Sequence, residues 1–157
     1  MIYRNLKSWR RAFTLVELVI VILILGILAA GTAPKFNASL RRAQVDGASL
    51  RIKADMNLAR QTAISRSANQ SVKFTVGSAV YTLSGISDPD HPSQAYSVNL
   101  ADGAYRAVVA TASFGGSDTL QFDRYGQPTS AGTVTVSADG VTKAVAVDAA
   151  TGEVSIP

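Results

Sequence analysis

The side chains best suited to acid–base or metal chemistry lie in one short stretch, "DPDHP". It holds the chain's single histidine, His91, beside Asp88 and Asp90. A catalytic triad would need a serine and an acid positioned at His91, and calcium would need about six to eight oxygen ligands. The stretch shows neither arrangement. We therefore expect a solvated loop over residues 85–95, no metal, no cofactor and no enzymatic activity, with calcium binding as the alternative for this loop.

The composition removes further kinds of chemistry. The chain has 157 residues and no cysteine, so disulfides, thiol nucleophiles and cysteine metal sites are excluded. The sequence shows neither standard spacing of a glycine-rich loop that binds phosphates. A chain of this length allows one modest domain after any targeting segment is set aside.

One carboxylate stands in a segment otherwise suited to a bilayer, "FTLVELVIVILILGILAAGTAPKF". Glu17 interrupts the apolar run, and no charge follows it until after Pro34. About twenty apolar residues span a hydrocarbon core, so residues 13–34 are predicted to form a transmembrane helix segment. Residues 1–12 form a basic leader with four cations and no acid, which predicts a cytoplasmic N-terminus and an outer location for the rest.

A carboxylate inside a bilayer is costly and usually has an identifiable partner. The upstream candidates are Arg10 and Arg11. The other candidate is the α-amino group that Phe13 would gain if the chain were cut after Ala12. Pairing between Glu17 of one chain and the Phe13 amine of another would neutralise both charges and set the axial register of the two helices.

Residues 35–66 keep a helical period and show two apolar stripes on opposite faces. Phe36, Leu40, Ala43, Gly47, Leu50, Ala54 and Leu58 form the first stripe, and Val45, Ala48, Ile52, Met56, Ala59 and Ala63 form the second. A helix on the surface of a domain needs only one such stripe. Either the helix is sandwiched inside a core, or the second face contacts a neighbouring subunit.

Charge is segregated along the chain after the leader. Residues 35–73 hold eight basic and two acidic groups, and residues 74–157 hold three basic and eight acidic groups. The two regions are expected to attract one another, within one molecule or between neighbours. A nucleic-acid surface is disfavoured because no aromatic residues interleave with the arginines and Asp46 and Asp55 interrupt them.

After residue 67 the period changes from helical to alternating. Eight alternating segments are separated by glycine-containing turns, with Asp139-Gly140 as a short hairpin signal. Asn69 is expected to cap the helix. Four tyrosines are expected to pack on the sheet with their hydroxyls outward, namely Tyr81, Tyr96, Tyr105 and Tyr125. The predicted fold is α+β: a long N-terminal helix, amphipathic over residues 35–68, packed on an antiparallel β-sheet head over residues 69–157.

The leader, the aromatic Phe13, Glu17 and the apolar run together resemble the N-terminal segment of type IV pilins and type II secretion pseudopilins. The resemblance implies cleavage between Ala12 and Phe13 by a prepilin peptidase and N-methylation of Phe13. It also implies that Glu17 recruits the subunit into a helical filament, and that the helix loosens at Gly26 and Pro34 when it is packed there. Ala12 departs from the glycine that the family usually has before the cut.

A second resemblance concerns "NLARQTAISRSANQSVKF", "LQFDRYGQPTSAGTVTVS" and "GEVSI". It matches the H-type minor pseudopilins and related minor pilins at residues 57–64, Phe122, Gly126 and Gly152. It implies a structural subunit of a secretion pseudopilus in the inner membrane, with other pseudopilins, the prepilin peptidase and an assembly platform as partners. The alternatives are a minor type IV pilin of a pilus or DNA-uptake apparatus, or an exported soluble β domain with an ordinary signal peptide.

Overall fold

The computed structural model describes residues 13–88 and 91–157; the leader and residues 89–90 lie outside that range, as do the side chains of residues 30–36. The chain divides into two compact units, Met1–Ala38 and Ser39–Pro157. In chain order the elements are α1 (Leu15–Arg66), β1 (Gln70–Phe74), β2 (Val80–Ser87), β3 (Ala95–Asn99), β4 (Val108–Phe114), β5 (Thr119–Phe122), β6 (Gly132–Ala138), β7 (Val141–Val147) and β8 (Val154–Ser155).

Helix α1 ends in a hydrogen-bonded C-cap. Ser67 adopts a positive φ of 50°, its N–H donates to the Ile64 carbonyl, and the Ala68 N–H donates to the Ala63 carbonyl at 3.1 Å. These two bonds form a Schellman motif, which places the left-handed residue directly after the last helical one. The expectation that Asn69 is the cap was therefore wrong, since Ser67 already turns the chain.

The strands form two antiparallel four-stranded sheets. The order is β3-β2-β1-β5 in sheet A and β4-β6-β7-β8 in sheet B. The antiparallel β head was predicted, whereas its division into two sheets was not. Asp139 and Gly140 both have positive φ in the two-residue turn between β6 and β7, which confirms the hairpin.

Among the described residues, one hydrophobic core is found, and it lies within the unit Ser39–Pro157. Its buried apolar residues, from Val45 to Val154, come from α1 and from both sheets. Phe74 of sheet A stacks on Phe114 of sheet B with ring centroids 5.8 Å apart, so aromatic packing connects the two sheets.

In the N-terminal unit, all described side chains from Phe13 to Ala29 are exposed. Within the part of the chain that the structure describes, no helix has the length and apolarity needed to cross a membrane. The transmembrane expectation for residues 13–34 extends into residues 30–36, whose side chains lie outside the described part, and it stays a prediction.

Candidate assembly site

Helix α1 begins with an N-cap that involves the glutamate. The Glu17 N–H donates to the Thr14 hydroxyl oxygen at 3.2 Å, and the Leu18 N–H donates to the Thr14 carbonyl. Thr14 is therefore the N-cap residue and Glu17 is the third helical residue, the spacing of a capping box. The carboxylate in the first turn also interacts favourably with the helix dipole. This cap fixes Glu17 in the first turn, and the signal for it, Thr-x-x-Glu, was present in the sequence but not recognised.

The remaining residues predicted to serve in cleavage and helix loosening lie before or within α1. Phe13 precedes the cap and is 78% exposed. Gly26 lies inside α1, and a Cβ there would meet no atom within 4 Å, so no contact in the described part of the chain requires glycine. The backbone of α1 is helical through Pro34, whose side chain is outside the described set, and Ala12 is outside the described residues altogether.

One apolar stripe of the helix packs on the head. All six residues of this inner stripe, namely Val45, Ala48, Ile52, Met56, Ala59 and Ala63, are at most 1% exposed. Burying a large apolar side chain of this kind contributes about 1.5–3 kcal/mol. The inner stripe therefore attaches this half of α1 firmly to the sheets.

The opposite stripe is open to solvent. Leu40 is 46% exposed, Leu50 is 60% exposed and Leu58 is 40% exposed. Ala43 and Ala54, on the same face, are also exposed, whereas Gly47 is partly covered by the Tyr105 ring, and Phe36 lies outside the described side chains. The interpretation of α1 as a helix sandwiched within its own core is therefore wrong. Apart from the cover that Tyr105 gives to Gly47, this exposed stripe is an apolar surface that is largely open to solvent in the described part of the chain.

Two ion pairs join the helix to sheet B. The Arg41 guanidinium lies 3.4 Å from a carboxylate oxygen of Asp139, and the Lys143 ammonium lies 2.5 Å from one of Asp46. Both pairs are partly exposed, so each contributes about 0–1 kcal/mol. The Arg41–Asp139 pair shows the predicted attraction between the basic and the acidic region within one molecule, whereas Lys143 and Asp46 pair with the opposite arrangement of charges.

A buried carboxylate connects α1 to sheet A. Asp55 accepts a hydrogen bond from the Tyr81 hydroxyl at 2.6 Å and one from Arg51 at 3.0 Å, and Arg51 also donates to the Tyr96 hydroxyl. Burial, reinforced by the negative charge of Asp55, raises the pKa of Tyr81. The expectation of outward hydroxyls was wrong for Tyr81, which is fully buried, because its hydroxyl satisfies a carboxylate that burial would otherwise penalise.

Three residues of the second resemblance, Arg60, Gly126 and Gly152, lie together. Arg60 donates to the Gly126 carbonyl at 3.0 Å and to the Thr151 carbonyl at 2.9 Å. Gly126 and Gly152 both have positive φ, and a Cβ at Gly152 would lie 2.7 Å from the Gly126 carbonyl oxygen. We call this group of three residues, Arg60, Gly126 and Gly152, the arginine–glycine contact. Positive φ favours glycine at both turns, and a Cβ at Gly126 would also lie 2.6 Å from the Ile64 side chain.

The turn between β7 and β8 is stabilised by the carboxylate of Asp148. Asp148 accepts hydrogen bonds from the N–H groups of Ala150 and Thr151 and from the Thr151 hydroxyl. These bonds, led by that from the Thr151 backbone, lower the pKa of Asp148. The turn is thereby held in the position where its carbonyl meets Arg60.

In the loop with the single histidine, the described residues show no assembled site. The His91 Nδ1 atom lies 4.0 Å from a carboxylate oxygen of Asp88, and Asp90 is outside the described residues. Among the described residues, no cluster of three metal-binding side chains is found.

A long helix that packs one stripe on antiparallel sheets and leaves the opposite stripe open defines a pilin-like fold. A crystal structure of the type IV minor pilin FimU from Pseudomonas aeruginosa PAO1 shares this fold. The TM-score is 0.55 at 14% identity, over 74% of this chain and 90% of that chain.

Two family models match the sequence. A prokaryotic N-terminal methylation motif matches residues 10–33, and the family described as type II transport protein GspH matches residues 48–151. The second match spans more than half of the chain, and the chain belongs to this GspH family. The families matched are those of structural pilin and pseudopilin subunits.

A shorter match connects the chain to a major pilin. The type IV major fimbrial protein FimA of Dichelobacter nodosus is 50% identical over 46 residues, which are 29% of this chain and 29% of that relative. The corresponding protein of strain VCS1703A matches over the same length and covers 28% of its own chain.

Proposed function

We propose that the protein is a minor pseudopilin of a type II secretion pseudopilus. In this proposal a prepilin peptidase cleaves between Ala12 and Phe13, and Phe13 is N-methylated before the subunit joins the filament. The methylation motif over residues 10–33 and membership of the GspH family support this function.

The observation that carries the proposal is the contrast between the two stripes of α1. One is completely buried against the subunit's own sheets, and Leu50 on the other is 60% exposed. A monomer gains nothing from displaying leucines at helical spacing, whereas a filament subunit needs such a surface for its neighbours. The exposed stripe is therefore assigned to contacts with other pseudopilin subunits.

The N-terminal segment holds the subunit before assembly. In the proposal, residues 13–34 cross the inner membrane once, with the N-terminus cytoplasmic and the head periplasmic. An assembly platform then moves the helix from lipid into the filament, where apolar burial is largely retained. Loosening of α1 at Gly26 and Pro34 would allow neighbouring helices to pack, because glycine and proline disfavour helix.

Glu17 is assigned to the register of the incoming subunit. The position of Glu17 in the first turn of α1, four residues after Phe13 in the sequence, supports this assignment. Pairing with the Phe13 amine of a neighbouring subunit would remove two unpaired charges from an apolar environment.

The test combines the mature N-terminus with a substitution. Mass spectrometry of the assembled protein is expected to find methylated Phe13 as the first residue. The variant Glu17→Gln is expected to be cleaved and inserted but absent from the sheared filament fraction, whereas Glu153→Gln, at the other glutamate, is expected to assemble normally. Filaments that still carry residues 1–12, or normal incorporation of Glu17→Gln, would contradict the proposal, and an N-terminus near Pro34 would indicate an ordinary signal peptide.

A minor type IV pilin is the second candidate. The fold shared with FimU and the segment shared with FimA favour it. Deletion of the gene distinguishes the two: retention of secreted proteins in the periplasm supports the pseudopilin, and loss of surface pili with normal secretion supports the pilin.

A further inference from the structure

The loop between β3 and β4, residues 100–107, packs against the early turns of α1 within the unit Ser39–Pro157. Its base is closed by a hydrogen bond from the Ala107 N–H to the Leu100 carbonyl at 3.0 Å, and both residues are buried. Farther along the loop, the Tyr105 ring lies so close to α1 that a Cβ at Gly47 would be 3.3 Å from it. These contacts hold the loop at a fixed position beside the helix.

A pocket of about 420 Å³ lies between this loop and the helix. Its walls come from one helical segment and one loop segment, namely Leu40, Ala43, Gln44, Gly103, Ala104 and Arg106. Of the described residues that line it, Arg106 alone carries a charge. We call this space the Arg106 pocket.

The Arg106 guanidinium is available to an anion. Its side chain is exposed, and none of the described residues forms an ion pair with it. Asp102, the acid of the same loop, accepts a hydrogen bond from the Asn99 side chain at 2.7 Å. Arg106 also has a positive φ of 43°, a conformation that is uncommon for large side chains and concentrates at functional sites. A largely apolar pocket with one unpaired cation suits an amphipathic anion.

The chain that enters the pocket has an unusual charge pattern for the outer side of a membrane. Residues 35–45 hold Lys35, Arg41 and Arg42 and no acid, and Arg41 is paired with Asp139. Basic residues beside a membrane span are normally enriched on its cytoplasmic side. A basic cluster that lies next to a bilayer attracts anionic lipid headgroups.

In the proposed topology the pocket borders on the lipid headgroups. Leu40 follows Pro34, the last residue of the predicted span, by six residues. Six helical residues extend about 9 Å, and the headgroup layer extends about 5–8 Å beyond the hydrocarbon core. The helical wall of the pocket therefore lies next to the headgroup layer, where an arginine side chain reaches phosphate groups.

We propose that the Arg106 pocket binds the headgroup of an anionic phospholipid in the outer leaflet of the inner membrane. The Arg106 guanidinium pairs with the lipid phosphate. The side chains of Leu40, Ala43 and Ala104 contact the glycerol and the first methylene groups of the acyl chains. This inference rests on the membrane topology of the proposed function. Because Leu40 and Ala43 also belong to the exposed stripe, a lipid and a neighbouring subunit exclude each other here, and the lipid is bound before assembly.

Native mass spectrometry of the full-length chain in a non-ionic detergent tests this binding. The chain is titrated with phosphatidylglycerol and, separately, with phosphatidylcholine of the same acyl chains, and phosphatidylglycerol is expected to bind at the lower concentration. Arg106→Gln is expected to weaken phosphatidylglycerol binding about fivefold, the effect of one basic residue near a lipid surface. The matched control is Arg124→Gln, which removes an exposed arginine after β5 and is expected to leave binding unchanged.

A second variant places a negative charge in the pocket. Ala104→Glu leaves α1 unchanged and is expected to weaken phosphatidylglycerol binding more than Arg106→Gln does, because the carboxylate repels the lipid phosphate. Ala104 and Arg106 are both exposed, so the buried core is retained in each variant. Equal effects of Arg106→Gln and Arg124→Gln, or equal binding of the two lipids, would overturn the inference.

Inorganic phosphate in excess distinguishes a lipid site from a site for free phosphate. It is expected not to displace phosphatidylglycerol, because it lacks the apolar part that the pocket contacts, and displacement would overturn the assignment to lipid. All of these outcomes are measured apart from the mature N-terminus and filament incorporation. Failure of the lipid site with methylated Phe13 present would therefore refute this inference alone and leave the proposed function standing.

Discussion

The Tyr81 hydroxyl is buried against the Asp55 carboxylate, and this contact makes the stability of the head sensitive to alkaline pH. An unfolded tyrosine ionises near pH 10. Burial and Asp55 raise the pKa of Tyr81 in the folded head, so above about pH 10 the unfolded chain releases a proton that the folded chain keeps. The contribution of this contact to the stability of the head is therefore fully present below about pH 10 and is lost as the pH rises above that value.

The variant Tyr81→Phe is expected to lose about 1–3 kcal/mol of unfolding free energy at neutral pH, because Asp55 loses a buried donor. It is also expected to lose stability less steeply than the unmodified protein above about pH 10. Urea unfolding of residues 39–157 at several pH values measures both effects. Tyr125→Phe is the control because Tyr125 is 72% exposed, and equal effects of the two substitutions would contradict the role given to Tyr81.

Gly152 is required by two constraints, a positive φ of 67° and the nearby Gly126 carbonyl. Gly103 has a similar φ of 63°, but a Cβ there would meet no atom within 4 Å. Gly103→Ala is therefore expected to lower the free energy of unfolding by about 1 kcal/mol, because alanine is strained at this positive φ. Gly152→Ala is expected to lower the free energy of unfolding by clearly more, because the Gly126 carbonyl must also move away from Arg60. Urea unfolding compares the two, and an equal cost would show that the close approach is unimportant.

At the scale of the helix, the two stripes separate stability from assembly. Ile52 is fully buried, so Ile52→Gln is expected to destabilise the head by several kcal/mol or prevent folding. Leu50→Gln changes an exposed side chain and is expected to alter the unfolding free energy by about 0.5 kcal/mol or less while reducing incorporation into filaments.

Urea unfolding and the sheared filament fraction measure the two effects separately. Lys53→Gln, a polar change next to the exposed stripe, serves as the control for assembly. Normal incorporation of Leu50→Gln would remove the function assigned to that stripe.

The sequence predicted those elements in which apolar residues repeat at one regular period, helical or alternating. The inner stripe of α1 emerged from its helical spacing, and the strands emerged from their alternation and glycine turns. The division into two sheets was not predictable, because alternation identifies strands but not which strands pair. The network around Asp55 was missed for a related reason: Tyr81 and Tyr96 reach this carboxylate only through tertiary packing.

At the scale of the whole molecule, the head is expected to be independent of the N-terminal segment. All buried apolar residues found in the structure lie between Val45 and Val154, within the unit Ser39–Pro157. A fragment of residues 39–157 is therefore expected to unfold in a single cooperative transition. Coincident urea curves from circular dichroism and tyrosine fluorescence would verify this, and two separate transitions would contradict it.

The arginine–glycine contact has a consequence for the rate of folding. Arg60 meets carbonyl groups that are 66 and 91 positions away along the chain. Contacts of such high sequence separation form only after a long loop has closed, and closing the loop costs conformational entropy. Folds rich in such contacts therefore form in about milliseconds to seconds rather than microseconds. In pulsed hydrogen exchange during refolding, the amides of residues 123–127 and 148–153 should acquire protection together, and later than the amides of α1.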